Sequence, residues 1–347
     1  MSRTIRRAFF GACALVSAAA GAGIGCSSSS MENPAPDGGA AGDTGAADAA
    51  AAAPCNGRAE LCDRAYDKVA FPGTHNAYAN IAQSFSVPDQ SFPMSRQLAD
   101  GVRVLHLEIQ PHGSDADPST PYLCHSYCEL GGTSLADGLA EIKAFVLAHP
   151  DDVVTLLMES DGLATDVVGD VVTKSGLVDL LHQQGTGAPW PTLGAMTKSG
   201  KRVVAFLADL SKTGGTTPPW LHDRFAWTWE TPWDNRTPAD FARCDADRGA
   251  KGDPIYVVDT YREDQAVPTA AAAATVNVDP FLIDRVLTCQ KAAGVLPNFV
   301  MVNYYEVGDL FHVVDLLNGF AARPSDDLSA FPPADWPGST DAGAGGG

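Results

Sequence analysis

Eight short β-rich runs recur through the middle of the chain, and helical patterns separate several of them. They read KVAF, VRVLHLEI, PYLCH, DVVTLLMES, RVVAFLA, RFAWTWE, IYVVDTY and FVMVNYY. In SLADGLAEIKAFVLAHP, Leu135, Leu139, Ile142 and Phe145 recur at helical spacing. VDPFLIDRVLTCQKAAG behaves the same way, with Gly294 placed to end it. Strands alternating with helices favour a parallel sheet. Eight such strands within about 265 residues predict an α/β fold, a single-domain (β/α)8 TIM-type barrel. The alternative is an open doubly wound sheet, but no glycine-rich phosphate loop follows the first strand.

The predicted barrel spans residues 55–320. Ahead of it, Arg3, Arg6 and Arg7 precede the apolar run AFFGACALVSAAAGAGIG, which predicts a signal peptide over residues 1–25. The run is short and rich in Gly and Ala, which argues against a permanent membrane span. Gly25-Cys26 and the four serines after it resemble the lipobox of bacterial lipoproteins, although Gly23 stands where that motif usually has Leu. The resemblance implies an exported protein lipid-anchored to a bacterial membrane through Cys26; ordinary cleavage and secretion is the other reading. Residues 26–54, small, polar and acidic, read as a flexible linker, and 321–347 as a disordered tail. The formal charge of -19 argues against a nucleic-acid partner, and a monomer is expected.

Of the eight cysteines, Cys13 would leave with the signal and Cys26 would be acylated. Cys55, Cys62, Cys124, Cys128, Cys244 and Cys289 remain, an even set in an oxidising compartment, and predict disulfides that staple the barrel. Many pairings are open. Proximity favours Cys55 with Cys62 and Cys124 with Cys128, leaving Cys244 with Cys289. A zinc site competes, but no paired C-x-x-C spacing supports it.

In such barrels the chemistry collects at the C-terminal ends of the strands. His75 and Asn76 follow the first predicted strand, Glu108 lies toward the end of the second, and His125 ends the third. Glu159 ends the fourth, Glu230 ends the sixth, and Asn303 lies in the eighth; Asp209, Asp259 and Tyr261 fall near the ends of the fifth and seventh. Alternation puts Val102, Val104, His106 and Glu108 on one face of the second strand, taken as the interior, and Arg103 on the other. A buried carboxylate there needs a cation or several donors. Histidines on neighbouring strands, His75 and His125, offer one base and one acid.

Blander readings stand beside these. His75 would be a loop histidine bonded to backbone, and His125 a structural residue under a small disulfide. Glu108 and Glu159 would be partners of Arg or Lys, and His106 a barrel filler. Glu230, Trp229 and Tyr304 shape a substrate pocket or belong to the core.

In order, PGTHNAY, RQLADGVRVLHLEI, YLCHSYC and HPDDVVTLLMES resemble the catalytic X-domain of phosphatidylinositol-specific phospholipase C and its secreted phosphodiesterase relatives. PWPTLGAMTKSGKRVVAFLA, WTWETPW and LPNFVMVNYY extend the resemblance over most of residues 62–310, toward a plant and fungal branch with similar cysteines. It implies a distorted TIM-type barrel that cleaves a phosphodiester lipid at a membrane surface. His75 would be the general base on the attacking hydroxyl and His125 the acid on the leaving alkoxide. It also implies Ca2+ held by Asn76, Glu108 and Glu159, or an arginine in its place. His106 stands where the calcium type carries a further carboxylate, and Glu108 stands where the arginine would lie. A silent lipid or inositol-phosphate binding module on the same barrel is the rival from another class. A glycerophosphodiesterase-like enzyme is the rival catalyst, but HNA replaces its usual His-x-Glu pattern.

Overall fold

The computed structural model describes residues 54–112, 120–125, 127–208, 210, 214–322 and 328–338. The signal peptide, the linker up to residue 53, Cys26 and Asp209 lie outside them.

Ten strands form the sheet: β1 Phe71–Thr74, β2 Val104–Pro111, β3 Pro121–Leu123, β4 Thr133–Ser134, β5 Val154–Ser160, β6 Val203–Leu207, β7 Leu221–Asp223, β8 Thr228–Glu230, β9 Ile255–Asp259 and β10 Pro297–Val302. The main helices are α1 Met94–Asp100, α2 Leu135–Ala148, α3 Thr165–Ser175, α4 Leu193–Ser199, α5 Phe281–Ala293 and α6 Leu310–Leu317. Eight strands follow the order β7-β6-β5-β2-β1-β10-β9-β8, and every neighbouring pair is parallel.

The α/β class and the parallel sheet are as expected, but the eighth parallel strand is β7, which no expected run covers, and closure of the barrel is not seen. Among the described residues, β7 and β8 do not pair, so the curled sheet stays open there. Only Arg224–Trp227, a single helical turn, joins them, whereas adjacent parallel strands need a crossover of about a dozen residues or more. RFAWTWE, expected as one strand, splits into that turn and β8. PYLCH is also not a barrel strand. Only nine residues, too few for a crossover, separate it from β2, and β3 pairs antiparallel with β2 and with β4. The strand KVAF starts later than expected, at Phe71. Pro72 has no N–H to give, and its carbonyl accepts from the Arg103 N–H at 2.9 Å.

Alternation along the strands positions the site. Phe71, Val104, Leu157, Phe206, Val257, Phe299 and Met301 form one buried cluster, with the rings of Tyr66 and Trp190 tilted against each other 4.7 Å apart in it. Two and four residues on from Val104 come His106 and Glu108; two on from Leu157, Val257 and Met301 come Glu159, Asp259 and Asn303. The same face thus turns from apolar to ionisable toward the C-terminal ends. Gly73 sits in this interior, where an added Cβ would lie 2.3 Å from Met301 Sδ. Arg103 points away and pairs with Asp152 at 2.8 Å. On the outer face, α2 is capped by Ser134 Oγ accepting from the Asp137 N–H, and it buries Leu135, Leu139, Ile142 and Val146.

The disulfides are Cys55–Cys62, Cys124–Cys128 and Cys244–Cys289, the pairing that proximity favours. The tail expected to be disordered is packed in part. Phe331 and Trp336 lie against Phe281 and Phe241, with ring centroids 5.3 and 5.8 Å apart, and Arg262 stacks over Trp336 at 3.8 Å. Two aromatic rings five residues apart along a polar, Pro-rich segment carry no periodicity, which is why composition alone reads as loose.

Candidate active site

One cavity of about 180 Å³ opens among the C-terminal strand ends, lined by His75, Asn76, His106, Glu108, His125 and Glu159 together with Arg224, Arg248, Asp259 and Tyr261. His75 follows β1. Its Nδ1 donates to Asn303 Oδ1 at 2.9 Å and lies 3.7 Å from Asp89 Oδ1. Asp89 ties the surroundings together: Asn303 Nδ2 donates to Oδ1 at 2.9 Å and Asn76 Nδ2 to Oδ2 at 3.0 Å. Tyr261 stacks flat on the imidazole, centroids 3.9 Å apart. With Nδ1 committed, Nε2 is the nitrogen left for chemistry. Burial works against the imidazolium, but Asp89, aided by Glu263 and Asn303, outweighs it and pushes His75 up to about 9.

His125 comes from a different element than expected. It lies on the turn after β3, beside the Cys124–Cys128 disulfide, and its half-exposed ring puts Nε2 3.8 Å from Glu108 Oε2. The hairpin still carries it to the cavity that His75 lines. His106 lies between the two sides, with Nδ1 3.2 Å from Asn76 Oδ1 and Nε2 3.5 Å from Glu159 Oε1. Burial pushes it down to about 4 against the pull of Glu159, so it is neutral at neutral pH.

The expected calcium ligands are engaged by other side chains in this structure. Glu159 receives Arg224 and Arg248 on one oxygen. Burial alone would raise its carboxyl; Arg224, His106 and Arg248 instead hold it well below the usual range. Asn76, itself buried, turns Oδ1 to the Tyr78 hydroxyl at 3.3 Å. Glu108 Oε1 takes Gln110 Nε2 at 2.7 Å. Among the described residues no three His, Cys, Asp or Glu side chains converge on a metal-sized site. The cations are arginines. Arg224 reaches Glu230 at 2.6 Å, and Arg248 pairs with both Glu230 and Glu159. These four side chains span the gap that β7 and β8 leave in the sheet. Asp259 adds another carboxyl, pushed up to about 7 by burial and Glu230, with Oδ2 buried and unpartnered.

The remaining expected pocket residues divide. Glu230 is fully buried beneath the arginines. Asn303 supports His75. Trp229 and Tyr304 are not in the cavity. Trp229 sits on the opposite face of β8 from Glu230 and stacks on Tyr256 at 3.8 Å. Tyr304 turns its hydroxyl to the carbonyls of Pro88 and Pro268. Sequence reasoning missed Asp89, Arg224 and Arg248. The usable signal was the demand that buried Glu159 and Glu230 place on a cation.

Three imidazoles and an arginine–carboxylate cluster share one cavity of a curled parallel α/β sheet, an arrangement chemically suited to moving protons around an anionic group. A sequence model of the PI-PLC X family (PI-PLC X 1) matches residues 61–318, and the chain belongs to that family. PI-PLC X domain-containing protein 1 of Arthroderma benhamiae is 28% identical over 76% of this chain and 89% of its own. An uncharacterized secreted protein of the same fungus is 28% identical over 76% of this chain and 64% of its own. Phosphatidylinositol-specific phospholipase C from Listeria monocytogenes shares the fold with a TM-score of 0.51 at 13% identity, covering 76% of this chain and 96% of that one.

Proposed function

We propose that the chain is a phosphodiesterase of phospholipase C type that acts on a lipid at a membrane surface. The observation that carries this is the placement of His75 and His125 in one cavity with two arginines. His75, oriented through Nδ1 by Asn303 and Asp89, takes the proton from the attacking hydroxyl at Nε2. His125, about half exposed, returns a proton to the leaving alkoxide. With an inositol lipid the attacking group is the neighbouring ring hydroxyl, and the product is a cyclic phosphate. Arg224 and Arg248 supply the positive charge beside the phosphoryl oxygens that the calcium reading assigned to a metal.

The chain has no basic cluster suited to polyphosphorylated headgroups, so a monophosphorylated lipid such as phosphatidylinositol or a GPI-type anchor is the proposed substrate. The secreted relative and the N-terminal pattern support export, with anchoring through Cys26 as the finer proposal. The test is hydrolysis of phosphatidylinositol in mixed micelles by the full chain, His75→Ala and His125→Ala. Release of cyclic inositol phosphate, lost in both variants, supports the reading. A folded protein inert on every phosphodiester lipid would favour the silent binding module.

A further inference from the structure

Arg248 reaches the cavity from a segment that belongs to no strand or helix. After β8 the chain passes through the turn Pro238–Ala242 and returns as residues 244–248 along the free edge of β8. Two backbone hydrogen bonds lay it there, Glu230 N–H to Arg248 O at 3.0 Å and Asp247 N–H to Glu230 O at 2.9 Å. The segment therefore covers an edge that the open sheet would otherwise leave unpaired.

Contacts outside the cavity fix this arm at both ends. Cys244–Cys289 ties its base to α5. Arg285, one turn earlier on α5 and fully buried, donates to the carbonyls of Phe241 and Arg243. The Tyr256 hydroxyl donates to Cys244 O at 3.4 Å. At the far end Gly249 has φ 76°, and an added Cβ would lie 2.1 Å from Thr228 O. Only glycine lets the chain turn away this close to β8.

The guanidinium so delivered has its Nε against Glu230 and one terminal nitrogen on Glu159 at 2.9 Å. About a third of the side chain stays exposed, toward the cavity that both catalytic histidines line. A donor held in advance needs no reorganisation when charge develops on the substrate, so what fixes the arm contributes to the chemistry.

We propose that the 244–248 segment is a disulfide-anchored arm that holds the Arg248 guanidinium against the phosphate oxygens of the substrate. Arg248 touches the phosphate; Cys244, Cys289, Arg285 and Gly249 are positioning residues. The proposal rests on the phosphodiesterase reading, and its test separates the two.

The full chain with its disulfides formed is compared with C244S/C289S, Gly249→Ala, Arg248→Ala and Arg248→Lys. Inorganic phosphate is titrated and followed by the 15N shifts of the arginine side chains. Hydrogen exchange at the Glu230 and Asp247 amides reports the arm, and phosphatidylinositol in mixed micelles reports turnover. C244S/C289S and Gly249→Ala are expected to weaken phosphate binding about tenfold, as Arg248→Ala does. Both should speed exchange at the two amides and lower kcat more than they raise KM, while Arg248→Lys recovers part of the loss. Adding Arg248→Ala to C244S/C289S should cost nothing further, because both remove one interaction. If the anchoring variants melt earlier yet keep wild-type phosphate affinity, kcat and KM, the arm is structural only and the proposal falls. It falls equally if the disulfide-intact protein binds no phosphate. Arm-dependent phosphate binding by a protein that hydrolyses no phosphodiester keeps the arm and overturns the phospholipase reading instead.

Discussion

Asp89 Oδ1 stands 3.7 Å from His75 Nδ1, and Asn303 bridges the two with hydrogen bonds of 2.9 Å on either side. If His75 is the base of the proposed reaction, this pair sets the pH at which it can act. Its folded value near 9 lies above the ordinary 6.5, so at neutral pH the ring is an imidazolium and cannot accept a proton. In the free enzyme kcat/KM is therefore expected to climb about tenfold per pH unit up to about 9. Asp89→Asn removes the main cause of the rise, and the limb should move toward 6.5. Stability carries the opposite sign: the stabilisation from a raised histidine is complete below 6.5 and is lost as pH rises through 9. Unfolding free energy should decline over that window in the wild type and stay flatter in Asp89→Asn. Rate profiles that coincide for the two proteins would remove Asp89 from this role.

Glu159 and Glu230 lie between Arg224 and Arg248, and this arrangement predicts the response to metal removal. Hydrolysis by the wild type should proceed unchanged in excess chelator. Activity that vanishes with chelator and returns with Ca2+ would mean that these carboxylates leave their arginines to bind the ion. Arg224→Ala should cost about 3–5 kcal/mol of stability in denaturant titrations, because Glu230 is fully buried and would lose a hydrogen-bonded partner.

The sequence made most of the parallel strands, the inward face of β2 and the cavity positions of His75, His106, Glu108 and Glu159 legible, because alternation and strand ends are local properties. It could not show that PYLCH folds back on β2, or that four residues between β7 and β8 forbid pairing; both depend on connection length rather than on the runs themselves. Asp89 and Arg248 sit in irregular segments held by backbone bonds to residues remote in the chain, Tyr304 and Glu230. Trp229 was misplaced by one step of the pleat: on a strand only three residues long, the inner face was assigned to two adjacent positions, and only Glu230 takes it.

His125 offers a clean separation of chemistry from stability. Its side chain is about half exposed and its nearest charged partner, Glu108, is 3.8 Å away. His125→Ala is expected to lower turnover of phosphatidylinositol by about 10²–10⁴ while leaving unfolding free energy within about 0.5 kcal/mol. A substrate with a leaving group that needs no protonation should recover most of the rate in this variant. Failure of such a substrate to recover would assign His125 to binding rather than to proton delivery.

The packed part of the tail makes a further prediction, about where the domain ends. Phe331 and Trp336 cover Phe281, at the head of α5, and Phe241, in the turn that leads into the arm. Phe241 also gives its carbonyl to Arg285, so the same patch supports the base of that arm. Ending the chain at residue 320 should therefore cost about 1–3 kcal/mol through lost apolar burial, and Trp336→Ala alone should cost part of it. Phosphate affinity should fall with it, because the exposed Phe241 turn loosens the arm. A truncated protein with wild-type melting temperature would show that the aromatic contacts add no stability and would return the domain boundary to residue 320.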